Sequence, residues 1–203
     1  MSTAERRARE LERREQSLLD AALVLFDRDD WSAVTVEAIA ERAEYAKGTV
    51  YRHFASKDDL YARLASDWNA GTCQALEALD ADRPFETVLR DFVAVSWRRL
   101  TGDRVQTRLL RHVQRPDFLA GVTPATRATL EASDARLLGL VAGLIDWGIA
   151  EGAIPDAPIE PRLFVVAALL RGAPALHGAG EAGAIAEAER ILADAILAVL
   201  RSG

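Results

Sequence analysis

Eight residues, KGTVYRHF at positions 47–54, constrain this chain more than any other stretch. Wound as a helix at ~100° per residue, they put Val50 and Phe54 on one side, where both need a core. Gly48 and Arg52 then point almost directly outward. Thr49 and Tyr51 occupy the two shoulders, and Lys47 and His53 lie nearer the buried edges. The flanking residues supply the core this short helix needs. Upstream, Leu19, Ala22, Leu23 and Phe26 have the i, i+3, i+4, i+7 spacing of an amphipathic helix that ends near Asp29 and Asp30. Thr35 sits where an N-cap belongs, and Ile39, Ala40 and Ala43 form the inner face of the next helix. A short break at Glu44, Tyr45 and Ala46 separates that helix from residues 47–54. Ser56 opens a longer one, with Asp59 three positions on in the manner of a capping box that carries Asp in place of Glu. Leu60, Leu64, Trp68, Ala75 and Leu79 line one face of this helix.

The rest of the chain also reads as helix, with no alternating strand and no hairpin turn signal. Helices are expected near 85–101, 104–115, 124–151, 161–177 and 183–201. Thr123 and Pro124 pair an N-cap with Pro at the first helical position, and Gly152 and Pro155 stop the helix that follows. Residues 80–84 are the best break. The expected fold is all-α: a charged N-terminal arm (1–14), a three-helix helix-turn-helix domain (15–64, motif 35–54), and a helical dimerisation domain (65–203). Residues 163–170 are apolar on every side, and the last helix, with Ile185, Ile191, Leu192, Ile196, Val199 and Leu200, has a wide apolar face. These two helices are the expected dimer interface; a deep intrachain core is the alternative.

Composition narrows the class. The 203 residues are 50% hydrophobic, yet no apolar run reaches the ~18 residues of a membrane span. The alternating Arg and Glu of the first fifteen residues leave no secretory segment, so a cytoplasmic protein is expected. Cys73 is the single cysteine, which excludes an intrachain disulfide and a multi-cysteine zinc site. His53, His112 and His177 are widely scattered. No phosphate loop, serine elbow or paired-His motif appears, so neither an enzyme nor a cofactor is expected. The net charge of −6 is unusual for a nucleic-acid binder. Contacts depend on local placement, however, and the only two lysines, Lys47 and Lys57, fall in or beside the 47–54 helix.

That helix suits a major groove. Gly48 has no side chain to hold it off the bases, and Arg52 can donate two hydrogen bonds to guanine O6 and N7. Thr49, Tyr51, His53 and Lys47 are placed for flanking phosphates. Lys57 adds a cation where free helix-start amides already favour an anion.

The stretch 18–64, reading LLDAALVLF and then TVEAIAERAEYAKGTVYRHFASKDDLYARL, resembles the DNA-binding domain of the tetracycline-repressor (TetR) family. KGTVYRHF followed by SKDDLY is its most characteristic part. The resemblance implies a homodimer on a palindromic operator in double-stranded DNA, with residues 35–54 as the helix-turn-helix and 47–54 as the recognition helix. It also implies DNA contacts from Thr35, Lys47, Thr49, Tyr51, His53 and Lys57, and a C-terminal pocket whose occupation releases DNA. Three positions depart from the family pattern. Asp30 and Glu44 stand where Gly is usual, and Ala46 replaces a usual Ser or Thr. A left-handed backbone at Glu44 costs of order 1 kcal/mol.

The effector expected from the C-terminal composition is a small, mostly apolar molecule, with Trp68, Phe92, Trp97, His112, Trp147 and Phe164 as pocket candidates. Phe85 and Phe118 complete the aromatic set. Ser96, Asp134, Arg171 and His177 are further polar candidates, and Gly71 and Gly143 sit inside helices where each costs ~1 kcal/mol relative to Ala. A helical protein-binding adaptor that has lost DNA binding is the alternative function, suggested by the acidic N-terminal domain, Glu44 and Ala46.

Overall fold

The computed structural model describes residues 2–28, 30–176 and 182–202, and the side chains among these outside 173–176 and 182–185. His177 lies outside the described residues. Among them, every regular element is helical: α1 Thr3–Phe26, α2 Val36–Arg42, α3 Lys47–His53, α4 Lys57–Glu77, α5 Phe85–Thr101, α6 Arg104–Val113, α7 Pro124–Ala150, α8 Ile159–Leu176 and α9 Ala182–Arg201. Short 3₁₀ turns at Trp31–Ala33 and Phe118–Gly121 complete the set. Two compact units divide the chain, and neither is continuous in sequence. The first joins residues 1–65 to 104–130, and the second joins 66–103 to 131–203. Sequence reasoning assigned 104–130 to the C-terminal domain; the structure gathers them with α1–α3 instead.

The charged N-terminal arm is itself helical. Ser2 and Glu5 form a reciprocal capping box, Glu5 N–H donating to Ser2 Oγ at 3.2 Å and Ser2 N–H to Glu5 Oε2 at 2.8 Å. Pairs such as Glu10 with Arg13 and Arg14, each at 3.0 Å, line the exposed part of α1. Burial begins at Leu18, from which Leu19, Ala22, Leu25 and Phe26 feed the first core together with Ile39, Ala40, Val50, Phe54, Leu60 and Tyr61. Leu109 of α6, Phe118 and Leu130 close that core.

Long-range polar contacts fix the ends of these helices. The Arg108 guanidinium donates to the carbonyls of Phe26, Asp27 and Arg28 at 3.3, 3.2 and 2.9 Å, and Arg104 reaches the Asp27 carbonyl and carboxylate. The last turn of α1 has no basic residue of its own, so α6 supplies the cations that its free carbonyls favour. Ser56 Oγ accepts from Asp59 N–H at 2.9 Å, the first half of the expected capping box. The second half does not form. The buried Asp59 carboxylate accepts instead from Thr123 N–H and Oγ1, both at 2.9 Å, joining the start of α4 to the start of α7.

The second unit packs α5, α8 and α9 on one another around Leu89, Val93, Trp97, Val166, Ile196 and Leu200, with Val141 and Ile145 of α7. Beside this apolar core, Asn69 Nδ2 donates to Ser133 Oγ at 3.0 Å and Asp134 Oδ1 at 2.9 Å. Arg99 donates to Thr72 Oγ1 and the Trp68 carbonyl, both at 3.2 Å, and lies 5.4 Å over the Trp68 ring. Gly71 makes room for that guanidinium, since a Cβ there would stand 2.9 Å from Arg99 Nη2. At Gly143 a Cβ would meet nothing within 4 Å.

Two helices end in the same Schellman geometry. At the end of α7, Gly152 N–H donates to Ile149 O and Ala153 N–H to Gly148 O, both at 2.9 Å, with Gly152 at φ +67°. At the end of α2, Glu44 N–H donates to Glu41 O at 3.1 Å and Tyr45 N–H to Ala40 O at 2.9 Å, with Glu44 at φ +60°. The left-handed position is free of steric cost for the glycine and costs ~1–2 kcal/mol for the glutamate. Glu44→Gly is therefore expected to raise unfolding stability by about 1 kcal/mol, less what glycine loses through its freer unfolded chain. Urea unfolding showing no gain would mean that the Glu44 side chain offsets the strain.

Candidate nucleic-acid interface

The interface is built on α3, and its burial follows the helical wheel. Val50 is 2% and Phe54 6% exposed, while Tyr51 is 49% exposed and Gly48 and Arg52 are exposed. Thr49 is half-buried on its shoulder. Val50 and Phe54 anchor α3 in the core shared with α1, α2 and α4, so the opposite strip is turned out of the protein. Helix α2 is capped as expected, Thr35 Oγ1 accepting from Ala38 N–H at 3.2 Å. Helix α3 lacks such a cap: Ala46 occupies the N-cap position and has no side-chain oxygen to offer.

The cations differ in how far they are committed within the protein. Lys47 is ion-paired with Glu37 of α2 and lies 5.7 Å over the Tyr51 ring. The hydrogen bond between them holds the Glu37 carboxyl below its ordinary range and Lys47 above. Lys57 Nζ donates to the Val34 carbonyl at 2.8 Å and lies 5.8 Å over the Tyr61 ring. Arg52 is exposed, on the side of α3 opposite the buried Val50.

His53 departs from the expected arrangement. Its side chain is only 4% exposed and turns toward Glu15 of α1, with Nδ1 3.7 Å from Glu15 Oε2, while Arg63 Nη1 holds the other Glu15 oxygen at 2.7 Å. As it stands, the ring is a packing element between helices and not part of the exposed strip. The wheel put His53 near a buried edge, and α1 covers that edge.

The effector candidates do not form one group. Trp68, Phe92 and Trp97 are buried in the second unit, and Trp147 packs on Phe85 with ring centroids 5.4 Å apart. Asp134 and Arg171 do meet there, at 3.5 Å, and Ser96 is buried on α5. His112 belongs to the first unit, ringed by Phe26, Trp31, Tyr61 and Phe118. Its separation follows from α6 folding back on α1, a long-range event without a local sequence signal. Phe164 is 76% exposed on α8, so it lines no interior of this chain.

A capped helix, a tight left-handed turn and a short anchored helix with an open outer strip together define a helix-turn-helix protein. Comparison with known proteins gives the family. Residues 18–64 match the family model described as bacterial regulatory proteins, tetR family. The transcriptional regulator TcmR of Streptomyces glaucescens is 30% identical over 167 residues, covering 78% of this chain and 70% of that protein. The repressor KstR of Rhodococcus jostii is 46% identical over 153 residues, covering 75% and 65% respectively. Among solved structures, FadR from Bacillus subtilis, determined with stearoyl-CoA, superposes with a TM-score of 0.70 at 16% identity, covering 93% and 98%. The chain belongs to the tetR family: it is a DNA-binding transcription regulator, not an enzyme. Among the described residues, no helix is long and apolar enough to cross a membrane.

The uncapped start of α3 yields a direct test. Ala46→Ser supplies the missing oxygen for a free amide of the first turn, and is expected to stabilise the protein by roughly 0.5–2 kcal/mol. An unchanged denaturation midpoint would show that this amide is already satisfied.

Proposed function

We propose that the protein is a homodimeric repressor that reads a palindromic operator through residues 47–54 of each copy and is released by a small, mostly apolar effector. The observation that carries the DNA-reading part is Gly48. A glycine inside a helix costs ~1 kcal/mol relative to alanine, yet among the described residues nothing beyond its chain neighbours and its own helix backbone lies within 4 Å of where its Cβ would stand. The space serves a surface outside the protein, and the adjacent Arg52 is the side chain suited to read that surface. In this reading, Gly48 lets α3 approach the bases and Arg52 bonds a guanine edge. Thr35, Thr49, Tyr51, Lys47 and Lys57 position the helix on phosphates.

Two substitutions separate fold from function. Gly48→Ala is expected to leave the fold as stable or more stable by up to ~1 kcal/mol, while weakening operator binding. Arg52→Ala is expected to cost roughly 1–3 kcal/mol of operator affinity and to relax preference at one base position. Operator titrations in which both variants match the parent protein would remove this strip from the interface.

Lys47 brings its own signature. To meet a phosphate it must leave Glu37, so the pair opposes binding. Glu37→Gln removes that competitor and a negative charge, and is expected to tighten binding to all DNA sequences. It also steepens the dependence of log K on log salt by up to ~0.9. A slope and affinity equal to the parent's would leave Lys47 without a phosphate.

The dimer reading rests on α8 and α9. Phe164, Val165 and Ile191 are 76%, 38% and 54% exposed on two helices that pack against each other. Exposed aromatic and aliphatic side chains grouped in this way mark an association surface, and a second copy would cover them across a two-fold axis. Phe164→Asp is expected to give monomers at micromolar concentration, with loss of high-affinity operator binding. Sedimentation velocity showing an intact dimer would place the interface elsewhere.

For the effector, the reading is a site in the second unit beside Trp68, where Arg99 lies over the ring and donates to Thr72 Oγ1 and the Trp68 carbonyl, with Phe92 and Trp97 as further candidates for its apolar wall. Apolar walls with a few fixed polar atoms are the usual make-up of a small-molecule site. Helix α4 contributes Leu60 and Leu64 to the first core and Leu76 to the second, so it is a continuous covalent route from that site to the DNA-binding unit.

A further inference from the structure

Helix α1 outruns the core it belongs to. Its buried residues begin at Leu18. Glu15 lies against the end of α3, 3.7 Å from His53, with Arg63 of α4 on its other oxygen. Before that point, every residue from Thr3 to Arg9 and from Leu11 to Arg13 is exposed. At ~1.5 Å per residue, the stretch from Thr3 to Arg14 is a rod of ~18 Å that starts beside α3 and covers none of the core. A helix of that length without packing is marginal in water. This one is held by the Ser2–Glu5 capping box and by Glu10 bound to Arg13 and Arg14. The rod is thus kept rigid although all it presents is a surface to the outside.

The charges of that surface are sorted by face. Arg6, Arg9 and Arg13 follow an i, i+3, i+7 spacing, which places them within ~60° of one another, on the side of α1 opposite the buried Ala22. Glu5 and Glu12 lie together on a separate face, about 80° round the helix. Two of the three glutamates are already committed, Glu5 to the Ser2 amide and Glu10 to Arg13 and Arg14. Among the described residues, no side-chain hydrogen bond or ion pair holds the Arg6 or Arg7 guanidinium. Arg13 carries the basic stripe to within electrostatic reach of Tyr45, in the turn that precedes α3. Arginines at 6, 7, 9, 13 and 14 against glutamates at 5, 10 and 12 make this segment positive in a chain whose net charge is −6.

We propose that the Arg6, Arg9 and Arg13 face of this arm is a second DNA-contacting surface, which grips backbone phosphates beside the bases that α3 meets. The proposal rests on the DNA binding of the family and on α3 as the element turned to the duplex, not on the role of any one α3 residue. Because Glu15 adjoins the end of α3, a duplex lying on the outer strip of α3 comes alongside the rod. From Arg6 to Arg13 the rod runs ~10 Å, over which one strand presents about three phosphates at ~3.4 Å each, one for each arginine. The contact reads no base. It supplies cations where Lys47 of α3 is already paired with Glu37, while the Glu5 and Glu12 face is turned aside.

The test titrates the full chain onto a mixed-sequence duplex of about 30 base pairs at several salt concentrations. Arg6→Gln with Arg9→Gln removes two cations while keeping a good helix former at each place. The expected result is a dependence of log K on log salt shallower by about 1.8, at ~0.9 per phosphate contact, with affinity at least fivefold weaker and unchanged helix content. Arg6→Lys with Arg9→Lys keeps the charge and is expected to keep the parent slope. Glu12→Gln, on the other face, is expected to leave the slope as it is. A parent-like slope in the glutamine variant would mean that the arm is merely solvated. Equal losses in the lysine and glutamine variants would show that the charge is not what acts, and a slope change of similar size in Glu12→Gln would show a response to net charge alone. Phosphatidylglycerol vesicles bound by the parent but not by the glutamine variant, with the duplex slope unchanged, would assign the face to a lipid surface. Each of these four results overturns the proposal. Arg52→Ala on the same duplex reports on α3 and not on the arm, so the two readings fail separately.

Discussion

The helix-turn-helix depends on one backbone reversal, at Glu44. There the chain leaves α2 with φ +60°, and the Glu44 and Tyr45 amides close back on the carbonyls of Glu41 and Ala40. That turn lets Ile39 of α2 and Val50 of α3 enter the same core, and it consequently faces Gly48 and Arg52 outward. Its strain of ~1–2 kcal/mol is small beside the burial of Ile39, Val50 and Phe54, each contributing about 1.5–3 kcal/mol. Packing therefore dictates the turn, and the turn tolerates a residue that local preference would reject. A glycine at this place would form the same turn with less strain, as Gly152 does at the end of α7.

The same balance explains how an acidic protein serves as a DNA-binding one. Glu37, Glu41 and Glu44 all belong to α2 and its turn, yet the charge nearest the recognition helix is locally compensated. Lys47 neutralises Glu37, and the Val34 carbonyl and the Tyr61 ring hold Lys57 in place. Preorganised cations lose less side-chain entropy on meeting a phosphate, but those already paired also yield less net energy. On the proposed reading of α3, the arrangement shifts weight from non-specific phosphate attraction toward the Arg52 side chain and the close approach at Gly48. In a net-negative protein, that reduces retention on bulk DNA relative to a true site.

Much of the first unit was legible because its signals are local. The Thr35 cap, the break at 44–46 and the Val50/Phe54 spacing lie within a few residues of what they control. The left-handed backbone at Glu44 was implied by the family resemblance, which has Gly at that place. What the sequence hid is contact between distant segments. His53 reads as a phosphate contact until α1 and Glu15 cover it. Asp59 reads as half of a capping box until Thr123, sixty-four residues on, claims its carboxylate. His112 reads as a sensor-domain residue until α6 folds back on Phe26 and Tyr61. The N-terminal arm was missed for a different reason: Ser2 and Glu5 carry a capping-box pattern, but the charge-rich stretch after it has no apolar stripe to mark a helix.

That folding back of α6 alters what a domain boundary means here. The chain passes between the two units inside α4, between Asp103 and Arg104, and inside α7. Two of these three crossings lie inside helices. Near the α4 crossing, Asp59 ties the start of α4 to Thr123 at the start of α7. Arg104 and Arg108, just past the middle crossing, cap the end of α1. Each crossing thus enters the DNA-binding unit beside a contact that fixes a helix end. Displacing α4 or α7 by one turn would strip the buried Asp59 carboxylate of its two donors, and an unpaired buried carboxylate is costly. Within the first unit, the contacts that hold α4 to α7 and α6 to α1 therefore resist sliding of these helices on one another.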